Sequence, residues 1–139
     1  MNIPLILTPK SMVSTVYSDD TIRQALEKMR HHGYSAIPVI DKSNRYLGTL
    51  SEGDLLWFLY GQCLEGNDID LKRTESVTVN EILNTVKYKP VPIGAPLDEL
   101  FELAKSQNFI PVVDDRGFLS GIVTRRDVLK VLTSKKEEQ

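Results

Sequence analysis

Apolar positions along this chain fall into two rhythms that alternate. Over residues 20 to 32, Ile22, Ala25, Leu26 and Met29 lie on one helical face, with Asp19 or Asp20 available as N-cap and Gly33 as the stop. Residues 36 to 40 are short, apolar and branched, and residues 45 to 50 follow after the turn Asp41-Lys42-Ser43-Asn44, which reads as two antiparallel strands. Residues 55 to 60 are apolar almost throughout. Their place after a capping signal predicts a helix rather than a strand, ending near Gly61 or Gly66. The same order then returns: helix over 97 to 106, strands over 109 to 113 and 118 to 123, helix over 127 to 133. Residues 16 to 18 and 91 to 93 supply a short leading strand to each copy. The pattern predicts an α+β fold of two pseudo-symmetric β-α-β-β-α repeats, with small sheets packed against helices.

The repetition is chemical as well as rhythmic. Ala36-Ile37-Pro38-Val39-Ile40-Asp41 leads to Gly48-Thr49-Leu50-Ser51-Glu52-Gly53-Asp54, and Phe109-Ile110-Pro111-Val112-Val113-Asp114 leads to Gly121-Ile122-Val123-Thr124-Arg125-Arg126-Asp127. Pro38 and Pro111, Gly48 and Gly121, Ser51 and Thr124, and Asp54 and Asp127 are each 73 residues apart, the mark of an internal duplication. Upstream the offset becomes 75, where residues 21 to 26 match 96 to 101, so the second copy lacks counterparts of Tyr34 and Ser35. A slip between helix and strand is what a loop change produces. Each half is small for a core of its own. Between them, residues 65 to 76 are polar and charged, with Gly66-Asn67-Asp68 reading as a mobile, exposed turn. Residues 77 to 83 can form a short helix capped by Thr78 with Glu81 three positions on.

Composition narrows the function. The chain has 139 residues with ordinary apolar and charged fractions, and its net charge of −2 gives no broad electrostatic reason to bind nucleic acid or an anionic membrane. The single cysteine, Cys63, excludes an intrachain disulfide framework and reads as a buried or half-buried thiol. Residues 3 to 7 are apolar but interrupted by Pro4, and far shorter than a membrane span. No secretory signal is visible, so a cytoplasmic location is expected.

The repeated Ser51-x-x-Asp54 and Thr124-x-x-Asp127 can be read in two ways. The plainer one is a capping box, in which the hydroxyl accepts a backbone N–H and the acid supports the helix start. The functional one is a nucleoside site. Each motif follows a strand glycine that permits close approach, free N–H groups converge at a helix N-terminus, and an ionised Asp can accept two hydrogen bonds from ribose hydroxyls.

With these residues in view, the chain resembles the cystathionine β-synthase (CBS) domain family, which occurs in tandem pairs. The resemblance covers roughly residues 6 to 132 and rests on the doubled Ile-Pro-Val-(Ile/Val)-Asp strand and the doubled Gly-x-x-(Ser/Thr)-x-x-Asp turn. It implies repeats over 6–64 and 77–133, an inter-repeat loop over 65–76 and a disordered tail over 134–139. It further implies clefts between the two repeats that bind an adenosine-containing nucleotide as a regulatory ligand, with no other cofactor. Ser51, Asp54, Thr124 and Asp127 are the implied ribose contacts. Val13, Tyr34, Ala36, Ile37, Pro38, Tyr88, Phe109, Ile110 and Pro111 are the implied walls of the base pockets. Arg125 and Arg126 replace Glu52 and Gly53 in the second copy, so only that motif carries forked phosphate-binding groups; Lys89, Lys10 or Arg45 could add charge from neighbouring segments. The Thr-Arg-Arg run and residues 32 to 39 are similar to small stand-alone bacterial members that bind cyclic di-AMP. AMP, ADP, ATP and cyclic di-AMP all stay open, and limited basic charge favours AMP-like ligands or cyclic di-AMP over ATP.

No set of acids, bases or nucleophiles is spaced for catalysis, and the adjacent His31 and His32 make a poor metal pair. The reading is therefore a sensor rather than an enzyme. The alternatives are a nucleic-acid module built on Lys72-Arg73, Arg125-Arg126, Lys130 and Lys135-Lys136, or a purely structural interaction module. Balancing acids and the absence of interleaved aromatics argue against the first. Trp57-Phe58-Leu59-Tyr60 and residues 128 to 132 are more apolar than a half-exposed helix needs, which predicts a homodimer through these helices. A chain with only a sensing module acts on a separate effector protein.

Overall fold

A computed structural model describes residues 2–66 and 68–137. The order is α1 (Ile3–Ile6), β1 (Thr8–Pro9), β2 (Val16–Tyr17), α2 (Ile22–His32), β3 (Ala36–Ile40), β4 (Tyr46–Ser51), α3 (Glu52–Leu64), α4 (Val79–Ile82), β5 (Val91–Pro92), α5 (Leu97–Ala104), β6 (Phe109–Val113), β7 (Leu119–Thr124) and α6 (Arg125–Glu137), with 3-10 turns at Lys10–Met12 and Leu71–Glu75. They gather into two compact units, one of residues 14–87 and one of residues 1–13 with 88–139.

In the unit of residues 14–87, the sheet order is β2-β3-β4, with β2 parallel and β4 antiparallel to β3. Helix α2 starts at a full capping box, Thr21 with Gln24, rather than at Asp19 or Asp20, and ends at Gly33, whose φ of 69° is left-handed. Ile22, Ala25 and Met29 pack with Ile37, Val39, Leu50, Leu55 and Val79, while Leu26, expected on the same face, is exposed. Val79 brings α4 into this core, and α4 is held there by the Val79 N–H donating to the Asp20 carbonyl at 2.8 Å.

The other unit repeats the arrangement with one strand more, in the order β1-β7-β6-β5. Strand β5 is parallel to β6, β7 is antiparallel to β6, and β1 adds antiparallel to β7. Ile3 of α1 is fully buried with Val91, Leu100, Ile110, Val112, Val123 and Val128. Burying an isoleucine side chain contributes roughly 2 kcal/mol, so a four-residue helix that could not persist alone is held by its docking.

Helices α1 and α4 lie 76 residues apart and carry matching apolar residues, Ile3-Ile6-Leu7 and Val79-Ile82-Leu83. The duplication thus reaches further upstream than the sequence pattern reveals, and the leading helix of each copy is built into the core that holds the other copy's strands. Other differences are local. The leading strands stop at Tyr17 and Pro92 because each pairs with β3 or β6 through two residues. Helix α6 continues to Glu137, past Ser134, through a Ser-Lys-Lys-Glu run without a breaker. Cys63 is exposed because it lies on the outer face of α3 with Leu64. The expected turn at Gly66-Asn67-Asp68 and the end of the tail include residues 67, 138 and 139, which lie outside the described residues; the flanking Glu65, Gly66, Asp68 and Ile69 are exposed.

Candidate functional site

Each unit contains one strand that runs directly into a long helix, and both junctions pair a hydroxyl with the aspartate three residues on, the reciprocal backbone bond being made, among the described residues, at Ser51 only. At the start of α3, the Asp54 carboxylate accepts from the Ser51 N–H (2.8 Å) and the Ser51 hydroxyl (3.0 Å) through one oxygen, Oδ2. The Asp54 N–H in turn donates to Ser51 Oγ at 3.3 Å. At the start of α6, the Thr124 hydroxyl donates to Asp127 Oδ2 (2.9 Å) and the Asp127 N–H to Thr124 Oγ1 (3.2 Å). The capping reading of the motif is therefore realised in both copies.

What each box leaves over is also the same. The first amide of α3, on Glu52, donates to the Ser35 carbonyl at 3.0 Å, and the first amide of α6, on Arg125, donates to Asn108 at 3.0 Å. The third amide of each helix is taken by the hydroxyl. Among the described residues, the second amide of each helix, on Gly53 and Arg126, and Oδ1 of each aspartate make no hydrogen bond. One donor and one carboxylate oxygen per helix start are what a sugar-phosphate can engage.

The implied base-wall residues lie across the ladder from these hydroxyls. Ala36, Ile37 and Pro38 pair with Ser51, Leu50 and Thr49, and Phe109, Ile110 and Pro111 with Thr124, Val123 and Ile122. Ile37 and Ile110 are fully buried in the two cores, so only their backbones can face a ligand. Tyr34 is partly buried against the first core and stacks on His32 with centroids 5.2 Å apart. Tyr88 and Phe109 are both buried, with rings 5.3 Å apart, in the unit that also holds Val13.

The expected phosphate residues are placed unequally. Arg125 Nε donates to the Ala104 carbonyl at 2.9 Å, so this guanidinium braces α6 against the end of α5. Arg126 is exposed beside Leu129 and Lys130 on the open face of α6. Lys89 keeps an exposed side chain while Gln107, buried to 1% exposure, accepts from its N–H and donates to its carbonyl. Sequence reading missed Gln107; a lone glutamine in a loop carries no pattern. Lys10 and Lys89 belong to the unit of Asp127, and only Arg45 of the proposed compensating cations shares the unit of Asp54.

Sequence reading placed Lys87 only at the edge of residues 87 to 91, a segment the resemblance implies as a wall of a base pocket. Its Nζ lies 3.5 Å from the position a Cβ on Gly53 would occupy, beside Ser51 Oγ at 3.6 Å from that same point. Nothing metal-like accompanies these groups: among the described residues no three His, Cys, Asp or Glu are gathered to hold a metal ion.

The CBS domain family model matches residues 5–61 and 75–134. Cyclic di-AMP receptor B of Bacillus subtilis is 31% identical over 120 residues, which cover 86% of this chain and 78% of that protein. A hypothetical conserved protein of Geobacillus kaustophilus superposes with a TM-score of 0.85 at 31% identity, covering 97% of this chain and 98% of the other. The Listeria monocytogenes CbpB protein, solved in complex with cyclic di-AMP, superposes with a TM-score of 0.84 at 25% identity, covering 99% and 98%. Against an uncharacterized Methanocaldococcus jannaschii protein, 29% identical, the chain covers 48% of the relative's length.

Proposed function

The chain belongs to the CBS domain family, and from that premise we propose that it is a non-catalytic sensor of an adenosine nucleotide, AMP-like or cyclic di-AMP in preference to ATP. The observation that carries this reading is the pair of matched helix starts, each with a capped aspartate whose second oxygen and neighbouring amide stay uncommitted. Ser51 with Asp54 and Thr124 with Asp127 hold ribose hydroxyls, and the ladder residues opposite them supply the apolar walls of the base pocket. The names of the Bacillus subtilis receptor and the Listeria complex support a cyclic dinucleotide.

The bound nucleotide shifts the population of conformations that a separate effector protein meets. Leu56, Trp57 and Tyr60 on α3 and Leu129 on α6 are exposed, Trp57 to 67%. Each helix thus offers apolar residues to a homodimer. The protein works in the cytoplasm; among the described residues no helix is long and apolar enough to cross a membrane.

Calorimetric titration of nucleotide-stripped protein with AMP, ADP, ATP and cyclic di-AMP tests the reading. Saturable binding of AMP or cyclic di-AMP is expected, with Asp54→Ala and Asp127→Ala proteins that remain folded each losing the contribution of their own unit. Absence of binding at millimolar concentration would leave the doubled motif as helix capping alone.

A further inference from the structure

The unit of residues 14–87 has no arginine at its helix start, yet a cation stands there. Gly53 is the second residue of α3, the position that Arg126 occupies in α6. Over the space that a side chain at Gly53 would fill, the Lys87 ammonium sits 3.5 Å from the absent Cβ. Lys87 arrives from a distant segment by a defined route. Leu83 packs its side chain over Gly48 of β4, 3.2 Å from where a Cβ would stand, and Asn84 Oδ1 then accepts from the N–H groups of Val86 (2.9 Å) and Lys87 (3.2 Å).

An ammonium has three donors and no acceptor, and the helix start beside it is itself positive. Lys87 takes part in none of the ion pairs among the described residues. Glu52 and Asp54 flank Gly53 in the first turn of α3, and neither pairs with the ammonium, so the ammonium and the uncommitted Gly53 N–H are two donors left at one helix start. We propose that Lys87 is the residue that selects a phosphorylated over an unphosphorylated nucleoside in this unit, gripping the phosphate jointly with the Gly53 amide while Asp54 holds the ribose. The proposal rests on the nucleotide reading above. It makes Gly53 the complement of Lys87: a bulky side chain at the second helix position would take the space that the ammonium uses, and the two units reach one charge arrangement from different places in the chain.

The test compares AMP with adenosine on full-length, nucleotide-stripped protein carrying Asp127→Ala, so that the signal comes from the unit of Asp54. Lys87→Ala should weaken AMP about tenfold, the scale of a charge-assisted hydrogen bond, and leave adenosine unchanged, with Lys87→Arg retaining most of the AMP affinity. Unchanged AMP affinity in Lys87→Ala, an equal fall for AMP and adenosine, or no binding by the Asp127→Ala protein while the parent binds AMP would each overturn the role of Lys87 and leave the nucleotide reading standing. Failure of the parent itself to bind AMP would overturn the role of Lys87, and failure to bind cyclic di-AMP as well would remove the nucleotide reading with it.

Discussion

The two units present their helix starts with the same hydroxyl–aspartate pair and complete them by different means. Around α6, the incoming segment is a strand: β1 pairs with β7 and lays the Thr8 carbonyl over Gly121 so closely that any Cβ there would overlap it. Around α3, the matching segment after Leu83 forms no strand. A leucine side chain covers Gly48, an Asx turn follows, and the chain swings Lys87 onto Gly53. Gene duplication preserved the strand, the glycine and the cap, whereas charge and backbone route diverged. A backbone lid over the strand glycine goes with an arginine on the helix itself, and a side-chain lid goes with a lysine brought from outside.

The sharpest way to break this comparison is to add one methyl group to each strand glycine. Gly121→Ala must displace backbone and should cost about 3 kcal/mol, whereas Gly48→Ala meets the far end of Leu83 and should cost about 1 kcal/mol, because a flexible side chain yields where a paired strand does not. Urea unfolding of the two variants measures the difference. Equal costs would mean that the two lids are of the same kind.

How far such differences could be read in advance depended on whether a signal lay close in sequence to its consequence. The β3–β4 and β6–β7 pairs and both caps were legible because apolar strands, the turn and the Ser/Thr-x-x-Asp motif sit within twenty residues of each other. The lids were not. Gly48 announces a close approach but not that Leu83 makes it, and Gly121 is covered by Thr8, more than a hundred residues away. Short leading helices such as α1 carry too few residues for a period to show. Arg125 was legible as a cation but not as a brace, since its partner is a backbone carbonyl, and every residue has one.

A smaller effect tests whether the hydroxyl-to-amide bond that the two caps share weighs the same in each. Ser51→Ala and Thr124→Ala each remove a hydroxyl that satisfies one helix amide, and each should cost about 1 kcal/mol in chemical denaturation. The two costs should agree within about half of that. A clear inequality would show that one box carries more of its unit than the hydrogen bonds suggest, and would locate the asymmetry in the caps rather than in the lids.

The least of these effects separates the two leading helices by pH. Helix α4 begins with a capping box in which the Glu81 carboxylate accepts from the Thr78 N–H at 2.7 Å and the Thr78 hydroxyl at 3.1 Å. The backbone hydrogen bond first, and the hydroxyl second, hold its carboxyl below the ordinary glutamate value of 4.5. Because the folded value is the lower one, the contribution is present in full above the ordinary value and is lost as pH falls through the depressed one. Helix α1 has no side-chain cap and no acidic residue in its first turn, so it has no such group to protonate. Amide exchange at Val79 should therefore quicken relative to Ile3 as the solution is acidified below about pH 4.5, once the intrinsic pH dependence is divided out. Glu81→Gln keeps an acceptor but no charge and should flatten that response in α4 while leaving α1 untouched. A parallel change in both helices would mean that acid loosens the two units as a whole, and that the different segments that lead into them do not set their separate responses.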